Sequence, residues 1–291
     1  MIPTPAAQRL RDRLSRPGIV AAPGAIDALT ARLVEAQGFE AVYMTGLGAT
    51  ATRIGRPDLG LLSQTEMSDQ ARAMAAATAI PVIADADTGY GGPLNLRRVI
   101  DDYARAGVAA FHVEDQEMPK RCGQLAGARL VSAETAAARL RAAVAARDAT
   151  GSGMLVIGRT DALGVEGIEG ALERARRYAD TGVDLVFVDG IKTEAQVEAV
   201  AEGLKAPKIV SIVDGTDAAR VTLDTLEQMD FRICLFALTV LLAGLGAQAA
   251  ALGRLRQAGR PDPSAEAFDY AGFSGLVDLA EHQHFAHEFE A

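Results

Sequence analysis

Three acids, one arginine and one cysteine supply the residue types from which a small-molecule active site could be built. Asp85 and Asp87 stand two apart at the end of the apolar run PVIAD, so extended backbone would put both carboxylates on one side. Acids crowded about one point repel unless a cation lies among them. With Glu114, at the end of the next apolar run, they form an all-oxygen donor set suited to Mg2+ or Mn2+, completed by water and substrate. The same spacing also serves acids that cap loops and helices. Cys122 lies in KRCGQ beside Lys120 and Arg121, whose charges would lower its pKa toward the thiolate if they fold toward it. A glycine-bearing loop could deliver that thiol as an acid or base, although an exposed loop cysteine among solvated cations has the same sequence. Other groups offer less. His112 sits in a strand-like run and reads as core or as support for a site, and Cys234 is apolar on both sides. His282, His284 and His287 have a spacing that could bind metal, which terminal helices also carry by chance. GYGGP, residues 89–93, has the glycines of a phosphate loop without its lysine.

These residues need elements to position them. Eight short apolar runs, near 18–22, 40–45, 81–85, 109–114, 154–159, 184–188, 207–213 and 232–236, read as strands with helical patterns between and after them. Three copies of one junction, VEAQGFEAVYMTG, YARAGVAAFHVED and YADTGVDLVFVDG, place glycine where a helix ends and a strand follows. Glycine takes the left-handed conformation there without a Cβ penalty. SQTE at 63–66 is a capping box, and Ser132 with Glu134 opens another helix. Eight alternating units predict a (β/α)8 TIM barrel in one domain, 1–291, with a C-terminal helical extension. The polar residues agree, because Thr45-Gly46, Asp85, Glu114, Arg159, Asp189 and Asp214 all fall at the carboxyl ends of strands, where barrel active sites form.

Composition bounds the partners. A formal charge of −9 with no basic block argues against nucleic acid and for a small molecule. The 49% hydrophobic residues, with only 5% aromatic, describe an aliphatic α/β core. No apolar core follows the basic residues of the first segment, and two cysteines make no disulfide framework, so a cytoplasmic protein is expected. Residues 235–252 carry no charge, yet Thr239, Gln248 and two glycines dilute them. They read as a strand end and a buried or oligomer-facing helix, with no membrane partner.

TGLGATATRIGRPDLGL, VIADADTGYGGP, HVEDQEMPKRCGQLAG and GRTDA, in this order, resemble the isocitrate lyase and phosphoenolpyruvate mutase superfamily. The likeness covers roughly residues 15–260 and is nearest to the short members, which include 2-methylisocitrate lyase, dimethylmalate lyase, oxaloacetate hydrolase and carboxyphosphonoenolpyruvate mutase. It implies a barrel whose eighth helix is exchanged between subunits in a homotetramer, a dimer of helix-swapped dimers. It also implies Mg2+ held by Asp85 directly and by Asp87 and Glu114 partly through water, with a carboxylate substrate. Thr45, Gly46 and Leu47 would hold a substrate oxygen through backbone N–H groups, Asp58 would lie near the reacting centre, and Arg159 would supply the cation. Cys122 would be the acid/base residue. Lys120, Gly123, Gln124, Asp189, Ser211 and Thr239 would complete the substrate shell.

Three departures from the family pattern fall in that shell. Gln124 replaces a histidine and cannot take a proton, Asp189-Gly190 replaces Glu-Ala, and Ser211 replaces an asparagine. The expected activity is Mg2+-dependent carbon–carbon cleavage of a substituted 2-hydroxy-dicarboxylate, of the methylisocitrate or alkylmalate type, through an enolate. Alternatives are an oxaloacetate-type hydrolase or decarboxylase, a phosphonomutase, and a barrel that binds a carboxylate without turnover.

Overall fold

A computed structural model describes residues 4–262 and 268–290. Eight parallel strands close into a barrel in sequence order: β1 Val20–Ala25, β2 Val42–Met44, β3 Val82–Asp85, β4 Ala110–Val113, β5 Leu155–Thr160, β6 Leu185–Val188, β7 Lys208–Ser211 and β8 Phe231–Phe236. Helices precede, connect and follow them. In the first half these are α1 Pro5–Leu14, α2 Ala28–Ala36, α3 Gly46–Ile54, α4 Gln64–Ala77, α5 Pro93–Ala106 and α6 Ala133–Thr150. In the second half come α7 Leu163–Ala179, α8 Glu194–Gly203, α9 Leu223–Gln228, α10 Thr239–Ala258, α11 Tyr270–Leu276 and α12 Leu279–Phe289.

The signals read in the sequence act as expected. Ser63 and Glu66 form the reciprocal cap of α4, and Ser132 caps α6 through the Thr135 N–H. Gly38, Gly107 and Gly182 sit at φ of 84°, 81° and 90°, the left-handed conformation that ends a helix before a strand. The strand ends fall within two residues of expectation except at one place. β1 runs three residues past the expected end because Pro23-Gly24, which reads as a turn, continues the strand beside β8. Gly24 is needed there, since a Cβ would lie 2.2 Å from the Ala237 carbonyl oxygen.

Two apolar layers follow from the two-residue period of the strands. Ile83, Ala110, Ile157, Phe187 and Ile209 point into the barrel, where Leu10 of α1 joins them. Val82, Ala84, Phe111, Val113, Val186 and Val210 point outward against the helices. Counting by twos from the inward set reaches Asp85, Glu114, Arg159, Asp189 and Ser211 at the carboxyl ends. The alternation that builds the core thus turns these polar groups into the mouth.

α10 departs from the ring of covering helices. Within this chain it packs on β1, only Leu241 along it is buried, and Leu245 and Leu252 are exposed. Among the described residues no helix is long and apolar enough to cross a membrane.

Candidate active site

The floor of the mouth is made by the inward residues one step below its polar rim. Tyr43 donates to or accepts from His112 Nε2 at 3.0 Å, and Phe187 lies edge-on to the same imidazole. Arg159 stacks over Phe187, 5.6 Å from the ring centre. Burial keeps His112 neutral, lowering it to about 4, so it supports the site without adding charge at neutral pH.

Above this floor the carboxylates of Asp58, Asp85, Asp87, Glu114, Asp161 and Asp189 are buried, and among the described residues Lys120 and Arg159 are the permanent cations paired with them. Arg159 Nη2 reaches Asp189 at 2.6 Å, Asp161 at 2.8 Å and Glu114 at 3.3 Å. Lys120 Nζ joins Asp58 at 2.8 Å to Asp87 at 2.7 Å. Burial alone would raise Asp85, but His112, Lys120 and Arg159 outweigh it and hold it at about 2. With His112 neutral, Lys120 and Arg159 carry that effect near pH 7. Burial also raises Asp87, and despite Lys120 it stays at about 6, with Asp85 pushing the same way. Glu114 is raised by burial in spite of Arg159.

That surplus of buried carboxylates fits a divalent cation. Both Glu114 oxygens are buried without an aligned hydrogen bond, although Arg159 stands near one of them. Among the described residues no three acid, cysteine or histidine groups form a ready-made cage. Such an incomplete set suits Mg2+, which keeps several waters and takes one or two carboxylates together with substrate oxygens. Gly46 is the close-packed wall of this region, because a Cβ there would lie 2.6 Å from Asp85 Oδ2. Gly46→Ala is therefore expected to displace Asp85 and weaken Mg2+ binding by roughly 10–100-fold. Titration calorimetry checks this, and unchanged affinity would remove Asp85 from the ligand set.

Thr45 caps α3, so the first-turn N–H groups of Gly46 and Leu47 open the helix at the mouth. The Gly46 N–H already donates to Asp85 at 3.3 Å. Opposite, the loop after β4 is folded in. The Cys122 N–H donates to the Asp58 carbonyl at 3.1 Å, and Gly123 lies so close to Asp161, Asp189 and Arg159 that a Cβ would collide with all three. Gln124 and Ser211 line the same space, and Gln124 Nε2 is buried there without a hydrogen-bond partner. The space left is about 40 Å³. Roomier grooves of about 430 and 440 Å³ lie elsewhere, one beside Arg11 and Arg232 at the opposite end of the barrel and one beside Thr4 and Arg105. Neither gathers comparable chemistry.

Two expectations need correction. Lys120 and Arg121 do not activate Cys122: Lys120 is turned to Asp58 and Asp87, and the Arg121 guanidinium donates to the Ala126 carbonyl. Burial pushes the thiol up to about 11, with Asp189 and Asp58 adding to the rise, so the proton stays on sulfur. Thr239 lies outside the mouth, where its exposed hydroxyl donates to Asp214 at 2.8 Å. The structure brings the other residues that the resemblance implies for the site together around one centre, while Cys234 lies in the core and His282, His284 and His287 lie on exposed α12. His112 takes the supporting place read for it, whereas sequence reasoning missed Tyr43 and Phe187 as parts of the site. Their inward parity, two residues from groups already singled out, was the signal available.

A closed (β/α)8 barrel with a buried, carboxylate-rich and arginine-bearing mouth has its charged groups gathered where barrel enzymes carry their active sites. Residues 10–256 match the family described as phosphoenolpyruvate phosphomutase. 2,3-Dimethylmalate lyase of Eubacterium barkeri is 39% identical over 230 residues, 79% of each chain. The structure of oxaloacetate acetylhydrolase in complex with the inhibitor 3,3-difluorooxalacetate superposes with a TM-score of 0.93, at 34% identity over 99% of this chain and 98% of that one. Phosphonopyruvate hydrolase, solved with oxalate and Mg++, superposes with a TM-score of 0.87 at 26% identity over 99% of each. The chain belongs to the phosphoenolpyruvate mutase and isocitrate lyase superfamily, as a carbon–carbon lyase.

Proposed function

We propose that the protein cleaves a carbon–carbon bond in a substituted 2-hydroxy-dicarboxylate of the alkylmalate or methylisocitrate type, with Mg2+ as cofactor. The observation that carries this reading is the protonated, partly buried Cys122 thiol held over a mouth that also contains Arg159 and the Asp85–Asp87–Glu114 set. Asp85, with Asp87 and Glu114 through water, would hold the ion, which when bound polarises the substrate's oxygens and offsets the buried negative charge. A mouth carboxylate takes the proton of the 2-hydroxyl, the adjacent C–C bond breaks, and a 2-oxo acid forms. The electron pair remains on the other fragment as an enolate of its carboxylate. Arg159 and the N–H groups at the start of α3 face that charge, and Cys122 returns a proton to carbon. Burial leaves the thiol in the form this last step requires.

The site is expected to take up Mg2+ more readily as pH rises through about 6. Below that value Asp87 keeps a proton that the ion must displace, and above it the carboxylate is free. Mg2+ should therefore raise the melting temperature little at about pH 5 and clearly at about pH 7.5. A larger shift at the lower pH would take Asp87 out of the ligand set.

One observation favours a second reading, hydrolysis or decarboxylation of an oxaloacetate-like 2-oxo acid. The folded-in loop leaves about 40 Å³, against about 430 and 440 Å³ in the grooves elsewhere, so a substrate needs the loop to open and a small one needs less movement. Products from 2-methylisocitrate, isocitrate, 2,3-dimethylmalate, citramalate, oxaloacetate and phosphonopyruvate, followed by NMR with Mg2+, separate the two. Cleavage of a hydroxy-dicarboxylate supports the main reading, and turnover of oxaloacetate alone replaces it. Mg2+-dependent binding without turnover across the panel would instead make the barrel a carboxylate binder.

The exposed apolar residues of α10 support assembly as a homotetramer of helix-swapped dimers, with α10 covered by a second copy. Sedimentation showing a monomer at micromolar concentration would overturn that arrangement.

A further inference from the structure

The loop that carries Cys122 has a paired base and a tip. At the base the Val131 N–H donates to the Asp115 carbonyl at 2.9 Å, the Glu117 N–H donates to the Arg129 carbonyl at 2.8 Å, and Gln116 bridges Leu130. Arg139 anchors this base from α6 by donating to the Glu114 carbonyl at 2.7 Å. Gln116 is 1% exposed, and its side chain points along the loop instead of into the barrel wall. Its Oε1 accepts from the Arg121 N–H at 3.0 Å, and its Nε2 donates to the Arg121 carbonyl at 2.7 Å. Both polar atoms of one peptide residue are thus held by one side-chain amide, immediately before Cys122.

Few side chains can make that contact. A carboxylate of the same length accepts but has no N–H to donate, a thioether does neither, and asparagine is one methylene short. The pairing also spans the two functional halves of the site. Gln116 follows Glu114 by two residues on the anchored base, whereas Arg121 precedes the thiol on the tip. The backbone position of residue 121 is therefore set from the end of β4. Beyond it the tip is fastened to other elements by the Lys120 ion pairs and by the Cys122 N–H on Asp58.

We propose that Gln116 is a positioning residue, whose amide holds the Arg121 backbone so that the loop presents Cys122 to the mouth. The reaction step it serves rests on the reading of Cys122 as proton donor, but the geometric assignment can be tested without a substrate. The probe is iodoacetamide, applied to the full chain with Mg2+ present, with alkylation of Cys122 and Cys234 followed separately by peptide mass spectrometry. Cys234 is buried in the core and reports general loosening.

Gln116→Met keeps the length and removes both hydrogen bonds. It is expected to accelerate alkylation of Cys122 by about tenfold, the factor supplied by two hydrogen bonds of ordinary net strength, while Cys234 stays protected. An unchanged Cys122 rate overturns the proposal, and so does parallel acceleration at both cysteines, which would mark Gln116 as ordinary core support. Should the methionine variant not fold, Gln116→Asn makes the same comparison with a smaller disturbance and is judged by the same outcomes. On a substrate identified by the panel, kcat should fall while KM is held; a raised KM with intact kcat overturns the assignment. If no substrate turns over, the alkylation result still stands or fails by itself, so the two failures are distinguishable.

Discussion

Replacing Arg159 by methionine is expected to destabilise the protein by about 3–5 kcal/mol, because it strands buried carboxylates that share one cation. Turnover should be lost with it, since the same guanidinium faces the charge that develops during cleavage. Denaturant unfolding of the metal-free protein measures the first effect. The attribution is tested by adding Asp189→Asn, which removes the carboxylate nearest to Arg159 at 2.6 Å. The double variant should regain part of the stability and none of the activity. A single variant that unfolds at the same denaturant concentration as the original would show that the cluster is neutral by other means, through protonated carboxyls.

Cys122→Ser is expected to lower kcat by about 10²–10⁴, the usual contribution of a positioned proton donor. Mg2+ affinity should hardly change, because the thiol belongs to the loop and the proposed ligands belong to the ends of β3 and β4. Stability should hardly change either, because the side chain is only partly buried and its backbone N–H bond to Asp58 does not depend on sulfur. Steady-state kinetics on the substrate identified by NMR, beside calorimetry with Mg2+, makes the comparison. A loss below tenfold would sink the thiol as donor and move attention to Asp58 or to water admitted by the open loop.

Much of this is legible in the sequence. The eight runs became the eight strands because each is short, apolar and bounded by a helix end, and the three glycines at those ends have the backbone angles their position demands. The mouth was legible because charged residues cannot be tolerated along the middle of such strands, so Asp85, Glu114, Arg159 and Asp189 had to lie at the ends. Contacts made between loops were not legible. Adjacency in KRCGQ suggested that the cations serve the thiol, yet Lys120 is drawn away by Asp58 and Asp87, which lie far from it in sequence. Nor could the chain alone show that Asp161 shares Arg159 with three other acids, since that depends on how the strand ends converge. Thr239 follows β8 and so resembled the other mouth residues, but α10 begins there and its hydroxyl is taken by Asp214.

The inward parity of the strands limits how this site can change through descent. One residue inserted into β5 before Arg159 would swing the guanidinium into the helix layer and bring a neighbour of the opposite face to the mouth. Deletions within a strand do the same. Lengthening is tolerable only after the strand ends and away from the paired base and the fastened tip, in segments such as 124–128, where no alternation has to be kept. New substrate preferences on such a barrel should therefore accumulate as exchanges in place, together with insertions confined to the loops of the mouth.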